Sequence, residues 1–312
     1  MPLRLLVIVG PTASGKTRFG VNLAHALGSE IVSADSRQVY RGLDIGSGKD
    51  MQEYRQVTPP VRCHLIDVAD PRSVYTVFHY QRDCYRVLED RKPEISRGDV
   101  PLLMVGGTGL YVEAVLRGYR IANVPEDVEL RRRLMQRDHD ELVRELASLD
   151  PELARRTDCD SKKRVVRALE IVSYGRRQPV CYSDPPPPFD FAVFGIHVPH
   201  EELFQRIDVR LDERLEQGLV AEVRRLLDAG VTPERMELLG LEYREVTAHL
   251  TGAKTEQQMI DDLRHGIRRF AKRQLTYFRG FPRRGIDLTW VGPDDHEIVL
   301  QHPWIADAGS AG

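Results

Sequence analysis

Gly10-Pro11-Thr12-Ala13-Ser14-Gly15-Lys16-Thr17 directly follows the apolar run Leu3 to Val9, and these residue types in this order are those that grip phosphate. The two glycines let backbone N–H groups turn inward around phosphate oxygens, Lys16 adds a mobile cation, and Thr17 offers a hydroxyl to Mg²⁺. A helix expected over about Lys16 to Leu27 would aim its positive end at the same spot. A turn that merely joins strand to helix has no need of all eight positions, so a polyphosphate or diphosphate ligand is expected. The motif does not say which one.

Carboxylates near such a loop decide the chemistry. Asp35 follows the apolar run Glu30 to Ala34, and at the end of a strand beside the P-loop strand it could act as general base on an acceptor nucleophile. Standing alone it would read as a turn or N-cap aspartate. Asp67, in His64-Leu65-Ile66-Asp67-Val68, reads equally as a metal carboxylate or a structural strand-end residue. P-loop kinases and hydrolases usually keep an acid for Mg²⁺ at the end of a neighbouring strand. Here the run Leu102 to Val105 ends in Gly106-Gly107-Thr108-Gly109 instead.

The elements that must position these residues follow from periodicity. Leu3–Val9, Glu30–Ala34, His64–Val68 and Leu102–Val105 read as short buried strands alternating with helices around Lys16–Leu27 and Val77–Arg91. That alternation predicts an α/β fold, a P-loop NTPase-like parallel sheet with flanking helices, whose ligands sit at the carboxyl ends of the strands. From about Asn123 to Tyr174 the chain is rich in Arg, Glu, Leu and Asp at helical spacing, with Asp150-Pro151 as a helix start and Gly175 as a stop. This predicts an inserted all-helical domain over 122–175, between core segments 1–121 and 176–312. Pro185 to Pro188 reads as a stiff connector, and Phe189–Val198 as a further core strand. Amphipathic helices are expected over Glu201–Gln217 and Leu219–Ala229. In the last long helix Leu263, Ile267, Phe270, Ala271, Leu275 and Phe278 form the apolar stripe.

Forty-five Lys plus Arg against 47 Asp plus Glu give a net charge of −2, which excludes a generically basic nucleic-acid binder. The charge is nevertheless segregated. No acid falls between Leu263 and Ile286, where Arg264, Arg268, Arg269, Lys272, Arg273, Arg279, Arg283 and Arg284 stand. A second cluster holds Arg155, Arg156, Lys162, Lys163, Arg164 and Arg167, and a third Arg131, Arg132 and Arg133. Such tracks suit a polyanion, although any one of them alone is more simply a solvated helix face. Tyr277, Phe278 and Phe281 among these cations could stack on bases, with Phe278 at core spacing. Four scattered cysteines without a Cys-x-x-Cys pair indicate neither a zinc ribbon nor a disulfide framework. No apolar run reaches membrane-spanning length, and a cytoplasmic location is expected.

Several blocks in order, Gly10 to Thr17, Ser33-Ala-Asp-Ser-Arg-Gln-Val-Tyr-Arg-Gly-Leu-Asp-Ile-Gly46, His64-Leu-Ile-Asp67, Gly106-Gly-Thr-Gly-Leu-Tyr111, Arg167-Ala-Leu-Glu170, Gly218-Leu-Val-Ala-Glu-Val223 and Ala271-Lys-Arg-Gln274, together resemble the tRNA dimethylallyltransferases, also called tRNA isopentenyltransferases. The resemblance runs from Gly10 to about Arg279. It implies transfer of a dimethylallyl group from dimethylallyl diphosphate to the exocyclic N6 amine of the adenosine 3′ of the anticodon, position 37, in tRNAs reading codons that begin with U. Free adenylate prenylation and small-molecule kinase activity are the alternatives. On this reading the P-loop holds a prenyl diphosphate, with ATP entering only as a phosphate mimic. Thr17 positions Mg²⁺, Asp35 accepts the amine proton, and Thr108 holds the amine or the diphosphate. Arg210 contacts the diphosphate, with Arg206 the other possible register.

The tRNA-contacting parts implied are Asp35, Ser36, Arg37 and Gln38, Thr108, Arg131, and Asp160, Ser161, Lys162, Lys163 and Arg164. Gly240, Tyr243 and Arg244, and Arg268, Lys272, Arg273 and Arg279, complete the set. The expected partners are the tRNA anticodon stem-loop and dimethylallyl diphosphate, with no membrane and no obligate protein partner. Many members have Met where Arg37 stands and His where Cys63 stands. No zinc finger of the kind eukaryotic relatives carry is present, which implies a bacterial-type member.

Overall fold

The computed structural model describes residues 3–98 and 100–306. Two units emerge, one made of residues 1–118 with 186–312 and the other of 119–185.

The first unit is built on a six-stranded sheet with strands β1 (Leu3–Val9), β2 (Ile31–Ser33), β3 (Cys63–His64), β4 (Leu102–Gly106), β5 (Phe189–Ile196) and β6 (Thr289–Val291). Their order is β3-β2-β4-β1-β5-β6 and every pairing is parallel. Parallel pairing needs crossovers, and helices such as Lys16–Leu27, Val77–Gly98 and His200–Glu216 supply them. Both faces of β1 are therefore covered. Leu6 and Ile8 pack with one buried cluster, and Leu5, Val7 and Val9 with another, as expected of a strand buried on both sides.

Register brings the strand ends level. Val9 pairs with Gly106, and Ser33 with Val105, so the loops after β1, β2 and β4 open side by side. Gly106 permits this closeness, because a Cβ there would lie 2.2 Å from the carbonyl oxygen of Ala34.

The structure corrects one expected strand, decides the open reading of Asp67 and adds a strand. The strand expected over His64–Val68 is only Cys63–His64, since Leu65 (φ 60°) and Asp67 (φ 57°) turn the chain away. Those turns aim Asp67 at the Lys49 ammonium, 2.5 Å away, so its role is structural rather than that of a metal carboxylate. The edge strand β6 was not anticipated, being three half-covered residues without alternation.

The second unit holds helices Val128–Met135, His139–Leu149, Pro151–Arg156 and Lys162–Gly175 around Leu134, Leu142, Leu146, Val165 and Leu169. Asp127, Asp138 and Asp150 cap the first three, each carboxylate accepting from first-turn amides. The unit runs past the junction expected at Gly175. Residues 181–183 return against 121–123, with Ser183 N donating to Ile121 O at 2.9 Å and Asn123 N to Cys181 O at 2.8 Å.

Beside the sheet, Glu222 shapes the loop after Gly42. Its buried carboxylate accepts from the amides of Asp44 (3.1 Å), Ile45 (2.7 Å) and Gly46 (3.0 Å) and from the Tyr243 hydroxyl (2.9 Å). Glu222→Ala leaves those donors buried and unpaired, and should destabilise the unit by roughly 2–4 kcal/mol, against about 1 kcal/mol for Tyr243→Phe. Both tryptophans, Trp290 and Trp304, lie in this unit, so urea unfolding followed by tryptophan fluorescence reads it directly. Equal losses in the two variants would mean that the loop amides find other partners.

Candidate active site

The P-loop closes on the end of β1 through backbone geometry. Ala13 (φ 61°) and Gly15 (φ 83°) are left-handed, and Gly15 caps the helix Lys16–Leu27 with no side chain bonded to its opening amides. Those N–H groups remain available to an anion, with the helix dipole behind them. Lys16 Nζ donates to Pro11 O at 3.2 Å. Burial lowers its pKa to about 8, opposed by the negative charge of Asp35 and reinforced by the like charge of Arg210. An anion delivered to this cleft would reverse that penalty.

Asp35 sits just past β2. Its Oδ1 accepts from the amides of Arg37 (2.8 Å) and Gln38 (3.4 Å), an Asx turn that fixes the carboxylate and leaves Oδ2 to face a ligand. Thr108, past β4, is tied to the same loop. Its Oγ1 accepts from Ser36 N at 2.9 Å, and its amide donates to Ala34 O at 3.0 Å.

The third wall comes from the helix Glu256–Arg279. The buried Gln274 side chain accepts from Thr12 N at 2.9 Å and donates to Gly107 O at 2.9 Å, bridging the P-loop and the loop after β4. One turn on, Tyr277 donates to Glu113 Oε2 at 2.5 Å while its ring lines the cavity.

The enclosed cavity holds about 300 Å³ and brings together Lys16, Thr17, Asp35, Thr108, Arg210 and Tyr277. A more open and more charged cavity of about 590 Å³ adjoins it and shares Lys16, Thr17 and Arg210. The arrangement offers one polar end for phosphates, a carboxylate with a free oxygen, and an aromatic wall with Phe270 and Leu110 at the rim. Of the two registers for the phosphate arginine, Arg210 lines both cavities and is held by Asp50. Arg206 lines only the outer one and pairs with Glu202 at 2.6 Å.

Among the described residues no three His, Cys, Asp or Glu side chains gather as a metal cage. Mg²⁺ held chiefly by phosphate oxygens and water needs no such cage. The Thr17 hydroxyl at the cavity mouth, with Asp50 and Glu53 on the outer wall, is a donor set of suitable hardness.

Other residues singled out in the sequence have different placements. Gln38 is structural, accepting from Ser33 Oγ and donating to Gly48 O. Tyr243 is buried with its hydroxyl on Glu222, so no ligand reaches it. Arg37 Nη1 donates to Leu238 O at 2.7 Å and its side chain lies beside Gly240. Arg244 is exposed and paired with Glu245. On the long helix, Arg268 is spent on Asp208 and the Phe204 ring, whereas Lys272, Arg273 and Arg279 are exposed and, among the described residues, without a carboxylate partner.

In the helical unit Arg131 is held by Glu126 and Glu170, Lys162 by Arg137 O, and Arg164 by Asp158. Asp160 and Lys163 are exposed, and Ser161 caps the helix that Lys162 opens. All four cysteines are free.

Sequence reasoning passed over Gln274 and Arg214 as site residues, although both carry a signal. Each is a polar residue inside an otherwise apolar helix stripe: Ile267, Ala271, Gln274, Phe278 in one case and Leu203, Ile207, Leu211, Arg214 in the other.

Comparison with known proteins gives the same picture. The IPP transferase family model matches residues 38–281. A tRNA dimethylallyltransferase 1 of Syntrophus aciditrophicus is 46% identical over 301 residues, covering 96% of this chain and 97% of its own. A tRNA dimethylallyltransferase 2 of Syntrophotalea carbinolica is 46% identical over 93% of this chain and 95% of its own. The crystal structure of a full-length tRNA isopentenylpyrophosphate transferase from Bacillus halodurans superposes with a TM-score of 0.69 at 32% identity, covering 98% of this chain and 97% of the other. A eukaryotic dimethylallyltransferase acting on tRNA has the same fold, with a TM-score of 0.69 at 24% identity. The chain, with its P-loop, its Asp35 turn and its Thr108 loop at one sheet edge, belongs to the tRNA dimethylallyltransferase family.

Proposed function

We propose that this enzyme transfers a dimethylallyl group from dimethylallyl diphosphate to N6 of the adenosine at position 37 of tRNA, with Mg²⁺ and in the cytoplasm where tRNA is modified. The observation that carries this reading is that phosphate-gripping groups (Lys16, Thr17, Arg210) and proton-handling groups (Asp35, Thr108) line a single cavity. The N6 lone pair forms a bond to C1 of the allyl group while the C–O bond breaks and its electron pair leaves on the diphosphate. Lys16, Arg210 and the loop amides stabilise the charge that grows there. Asp35 Oδ2 takes the proton of the attacking amine, with Thr108 steadying the Asp35 loop through Ser36. Mg²⁺, placed by Thr17, would offset further charge on the leaving group. An adenosine delivered from an anticodon loop must leave its stack to enter, and the Phe270, Leu110 and Tyr277 wall is suited to hold a base or a prenyl chain.

Incubation with labelled dimethylallyl diphosphate and either unmodified tRNA or free AMP tests the reading, with label expected in tRNA alone and recovered as N6-isopentenyladenosine. Label in AMP, or consumption of ATP in step with product, would overturn it. Asp35→Asn should lower single-turnover transfer by about two to four orders of magnitude while leaving tRNA binding intact. An unchanged rate would remove Asp35 from proton transfer.

Lys16 gives a pH signature. Its folded pKa lies near 8, so the ammonium is charged below that pH and is lost as pH rises through it. Affinity for an unreactive prenyl diphosphate analogue should therefore be full at lower pH and weaken by up to about tenfold per pH unit above the midpoint. Lys16→Arg, charged throughout, should flatten the profile. Titration calorimetry across the range decides, because the ligand's own ionisation is common to both proteins.

The RNA side is tested by salt. Neutralising Lys272 and Arg279 together, two exposed cations on one helix face, should reduce the slope of log affinity for tRNA against log salt by roughly 1–2. A wild-type slope would make that face a solvated surface and shift the RNA contacts elsewhere.

A further inference from the structure

Several buried charges of this fold are met within the protein. Lys49 Nζ donates to Tyr40 O (2.7 Å), Asp44 Oδ1 (2.8 Å) and Asp67 Oδ1 (2.5 Å). Glu222 accepts four hydrogen bonds, and Glu170 is met by Arg131, Arg167 and the Asp127 amide. Arg214 differs. Its side chain is only 10% exposed, yet its nearest acid, Glu242 Oε1, is 3.6 Å away, and among the described residues its guanidinium makes no hydrogen bond. A guanidinium this buried, with five donors and its one acid just beyond hydrogen-bond distance, is costly unless a ligand completes it.

The surroundings add to the cost. Arg210 stands one turn away, and both guanidinium groups converge on Gly48 (φ +65°), where a Cβ would lie 2.0 Å from Arg214 Nη2 and 2.8 Å from Arg210 Nη2. Burial and the like charge of Arg210 lower the pKa of Arg214 to about 10, while burial pushes Glu242 up. The pair thus gains little from its contact. Arg214 also lies where the apolar stripe of its helix calls for a hydrophobic residue, after Leu203, Ile207 and Leu211, and its head lines the enclosed cavity with Lys16 and Arg210.

We propose that Arg214 is a third cation of the diphosphate subsite, its fork donating to phosphoryl oxygens of the bound prenyl diphosphate and of the pyrophosphate left behind. The inference rests on the prenyl diphosphate reading above. It explains why Lys16, Arg210 and Arg214 stand close enough to repel one another: each is opposed by the others until a multiply charged anion arrives, and a planar fork matches phosphate oxygens in pairs. Arg210 is braced by Asp50, whereas the donors of Arg214 are unspent.

The probe is inorganic pyrophosphate, its binding followed by calorimetry below pH 8. Arg214→Met, close in length and uncharged, should weaken it roughly 10- to 100-fold, the worth of a hydrogen bond to a charged group, with tRNA affinity unchanged. Because a like charge is removed, the pH at which pyrophosphate affinity falls should also move above the wild-type value near 8, while the loss of affinity below pH 8 is the part that a purely structural arginine would not produce. Arg214→Gln keeps a polar end and should show the same loss if the Met variant does not fold. Wild-type pyrophosphate affinity in either folded variant overturns the proposal. So does a loss confined to tRNA, which would make an RNA phosphate the ligand. Lys16→Ala separates the two readings: if it too leaves pyrophosphate binding intact, the diphosphate reading of the cavity falls with the proposal. If it weakens binding while the Arg214 variants do not, only the proposal falls.

Discussion

The Gln274 amide is the pin on which the site turns. Its oxygen takes the Thr12 N–H and its nitrogen gives to Gly107 O, so one planar group orients two loops that are both distant from it in sequence. The direction is fixed as well as the place, since a flipped amide would set donor against donor and acceptor against acceptor. From Gly107 the connection continues through Thr108 to Ser36 and so to the Asp35 turn. The P-loop, the Asp35 turn and the helix Glu256–Arg279 are thus linked through short backbone steps and hydrogen bonds. A buried polar link of this kind is costly when half made and rigid when complete, which suits a site whose reacting groups must be placed before substrate arrives.

Electrostatics exploit that rigidity. Lys16, Arg210 and Arg214 face a cavity with Asp35 on its wall, and burial already weighs on Lys16 and Arg214. Water screens charges less in a cleft than at an open surface, so an anion that entered here would interact more strongly with each of them. It would also offset the repulsion among these cations. Burial at Glu222 and Lys49 has the opposite logic. Those charges are satisfied by the protein itself and hold the 44–50 loop that presents Gly48 and Asp50 to the arginines.

What could be read from the residues divides along physical lines. Local chemistry was legible: the P-loop, the helix after it, the strands β1, β2 and β4, and the capping aspartate of the Asp150-Pro151 helix depend on neighbours in sequence. The Asp35 turn was legible for the same reason, its carboxylate bonding amides two and three residues on. Long-range satisfaction was not legible. Whether Asp67 meets a metal or Lys49, whether Tyr243 faces a ligand or Glu222, and whether Gln274 reaches Thr12 are settled by chain segments far apart. A polar residue inside an apolar stripe was the one available sign, and it marks both Gln274 and Arg214.

The same distinction corrects the reading of charge. The run from Leu263 to Ile286 has no acid in sequence, yet acids from elsewhere reach it: Asp208 and Asp212 take Arg264, Asp208 takes Arg268, and Glu113 takes Arg284. In the helical unit Arg131, Arg156 and Arg164 are likewise paired. A cation already held by a carboxylate releases fewer counterions to a phosphate, so the cations that would count toward a polyanion are those exposed and, among the described residues, without a carboxylate: Arg269, Lys272, Arg273, Arg279 and Arg283 in one unit and Arg133, Arg155 and Lys163 in the other. A near-neutral protein can hold a polyanion this way. The paired arginines tie separate elements together, and the exposed cations keep their charge.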